Sequence, residues 1–124
     1  MQECKYILEG VSKQKLMVLD DRLIIKTYGF LSNKCKKTIT IFYSTLTFID
    51  YKNSSPISYG YLHFMTPEII KAQKPSFFYI FDGLFDNKRE ENKFEFLNQN
   101  EYAEEIRNYI EKQVLIVKSK NIQI

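Results

Sequence analysis

Tryptophan is absent from this 124-residue chain, histidine occurs once, at His63, glycine four times and cysteine twice. A single histidine excludes a multi-histidine metal centre and leaves one imidazole to serve as base for any nucleophile. Four dispersed glycines form no loop that would cradle phosphate. Cys4 and Cys35 lack the spacing of a zinc site and are too few for a disulfide framework, so two free thiols are expected, one or both packed as small apolar groups. No apolar run approaches the roughly 20 residues needed to cross a bilayer. The start, with Glu3 and Lys5, carries no signal-peptide core, so the expected location is the cytoplasm.

Ten Phe and nine Tyr are present, an aromatic share of 15%. Aromatics favour pleated, half-buried surfaces. The net charge of +3 is uneven. Residues 1–40 hold eight Lys or Arg against four acids, residues 41–80 three against two, and residues 81–124 seven against nine. That footprint is too thin for a nucleic-acid binder, which clusters its basic residues far more densely. The wealth of Lys, Asn and Ile fits an AT-rich bacterial genome or a mobile element.

Along the chain the periodicity is that of strands. Lys5 to Leu8 is a short strand, and Leu16 to Leu19 and Leu23 to Tyr28 are expected to pair antiparallel across Asp20 and Asp21, where Asp tolerates the left-handed backbone of tight hairpins. Thr38 and Thr40 alternate with Ile39 and Ile41. Ser44 and Thr45 read as a corner before Leu46 to Tyr51, and Lys52 to Pro56 as a turn. Between Ser58 and Phe64, alternation places Gly60, Leu62 and Phe64 on one face and Tyr59, Tyr61 and His63, directed outward, on the other. Gly60 inside a strand signals a bulge or a close backbone approach. Glu68 to Ala72 reads as a helical turn, and Phe77 to Phe81 and Phe94 to Leu97 as strands.

A helix is expected from Asn100 to about Gln113, with Asn98 and Glu101 spaced as a capping box. Tyr102, Ile106, Tyr109, Ile110 and Val117 lie on one helical face, which would lie across the mouth of the bent sheet. The tail from Val114 extends the helix or folds back as a strand. No repeat or linker divides the chain, so one domain over residues 1–124 is expected, with a core at about 5–113.

The hairpin Leu16-Met17-Val18-Leu19-Asp20-Asp21-Arg22-Leu23-Ile24-Ile25, then Lys37 to Ile41, Gly60-Tyr61-Leu62-His63-Phe64, and Lys93-Phe94-Glu95-Phe96-Leu97 leading into Ala103 to Ile106 and Tyr109 to Glu111 resemble the bacterial pleckstrin-homology-like domains. The family meant is one of unknown function often found ahead of a short C-terminal helical domain. The resemblance implies a mainly β fold, a partly open barrel of two antiparallel sheets capped by one C-terminal helix. It supplies no catalytic residue.

No enzyme chemistry is expected, and no cofactor or metal. Asp20 and Asp21 read as turn residues. Asp82, Asp86, Glu90 and Glu91 lack the regular alternation and the glycine position of a calcium loop. Two binding surfaces remain. Lys13, Lys15, Lys34, Lys36 and Lys37 flank the early strands and are candidates for an anionic lipid headgroup or membrane surface, at about 1 kcal/mol per lysine. Tyr43, Tyr51, Tyr59 and Tyr61, with Phe30 and Phe85, are candidates for a protein interface, including one with a second copy of the chain. The protein interface is the preferred reading.

Overall fold

The computed structural model describes residues 3–29, 31, 34–73 and 91–122. Strands β1 (Tyr6–Glu9), β2 (Gln14–Val18), β3 (Arg22–Tyr28) and β4 (Cys35–Phe42) form an antiparallel sheet in that order. A 3-10 turn (Tyr43–Thr45) leads to β5 (Phe48–Lys52), which pairs with β6 (Gly60–Met65), and β6 pairs with β7 (Lys93–Phe96). A short helix α1 (Pro67–Gln73) follows β6, and α2 (Asn100–Ile122) follows β7. The strand expected at Phe77 to Phe81 lies outside the described residues, as do Phe30 and Phe85.

Alternation sets which side chains meet. Leu16 lies opposite Ile25 and Val18 opposite Leu23, and all four are buried. Their neighbours Lys15, Met17, Ile24 and Lys26 turn to the other face by the period of the pleat. The second sheet contributes Leu62, Phe64, Phe94 and Phe96, each 0% exposed. Helix α2 adds Ala103, Ile106, Ile110 and Val114 at spacings of three and four to the same core. Each fully buried Ile or Phe contributes about 1.5–3 kcal/mol relative to exposure. The result is mainly β, two antiparallel sheets that do not close into a complete barrel, with one C-terminal helix against them, consistent with a pleckstrin-homology-like arrangement.

The sheets meet at two seams. At one, the Val11 N–H donates to the Glu95 carbonyl (3.0 Å), and Gly10 lies against Phe94 so closely that an added Cβ would be 2.5 Å from the ring. At the other, the corner read at Ser44 and Thr45 is the 3-10 turn, held by Tyr43 N–H to the Asp21 carbonyl (3.1 Å). Gly60 is a close approach: a Cβ there would sit 2.5 Å from the Ser54 nitrogen and 2.6 Å from the Phe96 ring.

Two local expectations change, and an open alternative is decided. The left-handed turn residues are Ser12 and Lys13, both at φ 56°, in the β1–β2 connection; Asp20 and Asp21 keep negative φ. Asn98 does not cap α2. It stands at φ 60° outside the helix, and the Gln99 carbonyl takes the first helical bond, from Ala103 (2.8 Å). A tertiary partner displaces the local motif: Ser54 Oγ accepts the Asn98 N–H (3.0 Å), while Asn100 accepts from the Ser54 N–H (2.7 Å) and donates to its carbonyl (3.0 Å). Finally, α2 runs 23 residues without folding back, and Val114 joins the core. Neither Gly nor Pro interrupts residues 101–122, so nothing stops the helix at Gln113. Tyr102 moves to the edge of the buried face, 37% exposed.

Candidate binding surfaces

The five lysines gather at one end of the four-stranded sheet. The Tyr28 N–H donates to the Lys13 carbonyl (3.0 Å) and the Gly29 N–H to the Lys34 carbonyl (3.1 Å), which ties the β1–β2 and β3–β4 connections to the end of β3. Lys36 is the extra residue of a bulge, since Thr27 pairs with Lys37 and Tyr28 with Cys35. Lys13, Lys34, Lys36 and Lys37 are exposed. Lys15 is half-buried, its Nζ 3.6 Å from Glu9 Oε1 and 5.7 Å from the centre of the Tyr28 ring. Glu9, Lys13, Lys15 and Tyr28 line an open depression of about 340 Å³. The lysines share an end without sharing a focus: Lys15 lies on the outer face with Lys26, and Lys37 is paired with Thr27 on the other.

The four tyrosines do not form one surface. Tyr43, expected at the surface, is 0% exposed, and its hydroxyl donates to the Leu19 carbonyl (2.6 Å). The turn that follows β4 rolls its ring into the core, and burial pushes the phenol far above its ordinary value. Tyr51 is half-buried at the sheet–helix junction, stacked on Phe96 at 6.4 Å with the Arg107 guanidinium 4.7 Å from its ring centre. Its hydroxyl is 2.5 Å from Asn53 Oδ1 and 3.2 Å from the Asn100 carbonyl. Burial, then the nearby Glu104, raises its pKa. Tyr61 is half-buried under Lys93, with its hydroxyl 3.4 Å from Asp50 Oδ2. Tyr59 alone shows half its surface.

A different apolar feature emerges where β5 runs beside α2. Leu46, Thr47, Phe48 and Ile49 on one side and Glu111, Val114 and Leu115 on the other enclose a cavity of about 180 Å³. Phe48 is 50% and Leu115 69% exposed at its mouth. Continuing the helix past Gln113 would have placed Leu115 one position off the buried stripe, but not against β5.

His63, expected to point into solvent, is 5% exposed, and its Nε2 lies 2.9 Å from the Glu91 carbonyl. The adjoining Asn92 is buried at φ 69°, with its side-chain amide donating to the Phe64 carbonyl (3.3 Å). Cys4 is half-buried and Cys35 exposed, both free. Asp21 grips Arg22 with both oxygens, at 2.9 and 3.0 Å. Among the described residues, no three His, Cys, Asp or Glu stand close enough to hold a metal ion, and no helix is long and apolar enough to cross a membrane. Asp82, Asp86 and Glu90 lie outside the described residues. No family model, no curated protein and no solved structure matches this chain.

Proposed function

We propose that this chain is a non-enzymatic, pleckstrin-homology-like binding module of the cytoplasm whose partner is protein, including copies of itself. The observation that carries the reading is the β5–α2 groove, where Phe48 and Leu115 offer apolar surface around a cavity able to take a side chain. Exposed large side chains grouped around a concavity are the usual centre of an interface. The free thiols suit a reducing compartment. His63 supports a non-catalytic role, since it is buried against a backbone carbonyl.

Sedimentation velocity from micromolar to millimolar protein tests the reading. Association that Leu115→Asp weakens by about tenfold or more, near 1.4 kcal/mol, is expected. A monomer throughout, indistinguishable from the variant, would sink it.

A second reading, a weak site for anionic headgroups, is favoured by the backbone bonds that bring the Lys13 and Lys34 loops to one end. Glu9 among those lysines limits its strength. Co-sedimentation with anionic vesicles at low salt tests it, and no pelleting there would remove it.

A further inference from the structure

The outer face of the four-stranded sheet has an ordered composition. Ile7, Met17 and Ile24 lie opposite one another in register as an apolar row across three strands. The next row toward the lysine end is Glu9, Lys15 and Lys26. In the row on the other side, the Arg22 guanidinium lies 4.6 Å from the Phe42 ring centre. Ile7 remains 48% and Phe42 43% exposed. Lys15, Arg22 and Lys26 are the cations of these rows; Lys15 lies 3.6 Å from Glu9 and Arg22 is held by Asp21, so the face is basic by one charge.

The same chain carries a surface of opposite kind. On α2, Glu101, Glu104, Glu105 and Glu111 are exposed at helical spacing along one face, which ends in the apolar pair Leu115, 69% exposed, and Ile116, 39% exposed. Lys112 lies among them, and Arg107 at the flank pairs with Glu104 (3.6 Å) and Glu111 (3.3 Å), so the face keeps four acids against two cations.

We infer that copies of this chain associate head to tail, the acidic exposed face of α2 of one copy lying along the basic and apolar outer face of the four-stranded sheet of the next. The inference rests on the protein-binding reading and names its partner. The spacings agree. Four residues separate Glu111 from Leu115, about 6 Å along a helix. Two residues separate the Lys15–Lys26 row from the Met17–Ile24 row, about 7 Å along a strand. A helix parallel to the strands therefore sets Leu115 on the apolar row with Glu111 beside Lys15 and Lys26, and carries Glu104 and Glu105 on toward the exposed Lys13 and Lys34 loops. The apolar row lies on the strands of the sheet and not at a loop tip, which suits a rod-shaped element over a bilayer. The two surfaces differ, so the contact is heterologous and builds a ring or an open chain.

The test is a charge-swap pair in the full chain: Lys15→Glu/Lys26→Glu on the sheet and Glu105→Lys/Glu111→Lys on the helix. Circular dichroism checks that each variant is folded. Expected are self-association weakened about tenfold or more in each variant alone, its recovery in an equimolar mixture, and weaker wild-type association as NaCl rises past the point where the Debye length falls below about 10 Å. Wild-type-like association of both variants would overturn the head-to-tail contact, and loss on Leu115→Asp would then show that the groove reading survives it. Variants that weaken without recovery on mixing would also overturn it. So would a wild-type protein that stays monomeric yet pellets with phosphatidylserine vesicles through Lys15 and Lys26, since that face would belong to a membrane.

Discussion

The Tyr43 hydroxyl donates to the Leu19 carbonyl across 2.6 Å, joining the corner between the sheets to the turn between β2 and β3, 24 residues earlier. Tyr43→Phe keeps the ring and removes the donor, leaving that carbonyl short of a partner. The expected loss is about 1–2 kcal/mol, read as a lower urea midpoint at unchanged slope.

The same phenol makes stability depend on alkaline pH. Burial raises its pKa, so above about pH 10 the unfolded chain releases a proton that the folded chain retains. The contribution is fully present below that pH and is lost as pH rises toward the folded value. Urea titrations through the alkaline range should show a steeper fall for wild type than for Tyr43→Phe. Parallel curves would show that the phenol titrates alike in both states.

Gly60→Ala should destabilise through contact alone, because the new methyl would meet the Ser54 nitrogen at 2.5 Å and the Lys52 carbonyl oxygen at 2.7 Å, both backbone atoms with little room to move. A loss of about 1–3 kcal/mol is expected from such overpacking, checked by thermal and urea melts.

Asn100→Ala should remove both side-chain bonds to the Ser54 backbone, leaving a donor that is part-buried. About 1–3 kcal/mol is expected. Asn100→Asp keeps the acceptor for the Ser54 N–H but sets a carboxylate against its carbonyl, so it should also lose stability. A wild-type melt for either variant would show that the clamp adds nothing.

The sheets were legible where alternation was strong. Ile39 and Ile41 against Thr38 and Thr40 alternate, and the apolar runs Leu16 to Leu19 and Leu23 to Tyr28 on either side of Asp20 and Asp21 fix the antiparallel pair. Helix α2 was legible from Ile106 and Ile110. Local turn chemistry was less reliable. Asp20 and Asp21 suit a left-handed turn, yet it falls at Ser12 and Lys13, where β1 must bring Val11 to Glu95. Asn98 has a capping residue's chemistry, but Ser54, 44 positions away, engages its backbone instead. Of the candidate tyrosines, Tyr43 turned inward at the corner, and Tyr51 was claimed by Arg107 and Phe96. The groove had no signature in sequence, since its two walls, residues 46–49 and residues 111–115, stand more than 60 positions apart.

The bond from Val11 to Glu95 spans 84 positions and stitches the opening hairpin to the last strand. A ribosome therefore releases the first sheet long before its seam can be sewn, and the oily floor beneath Ile106 and Ile110 stays wet through most of synthesis. The pairings within each sheet join strands that follow one another along the chain, so the hairpins of the first sheet are local while their bond to β7 is the distant one. A chain cut short before Lys93 would keep the hairpins of the first sheet and lack both the strand and the helix that cover their buried side chains.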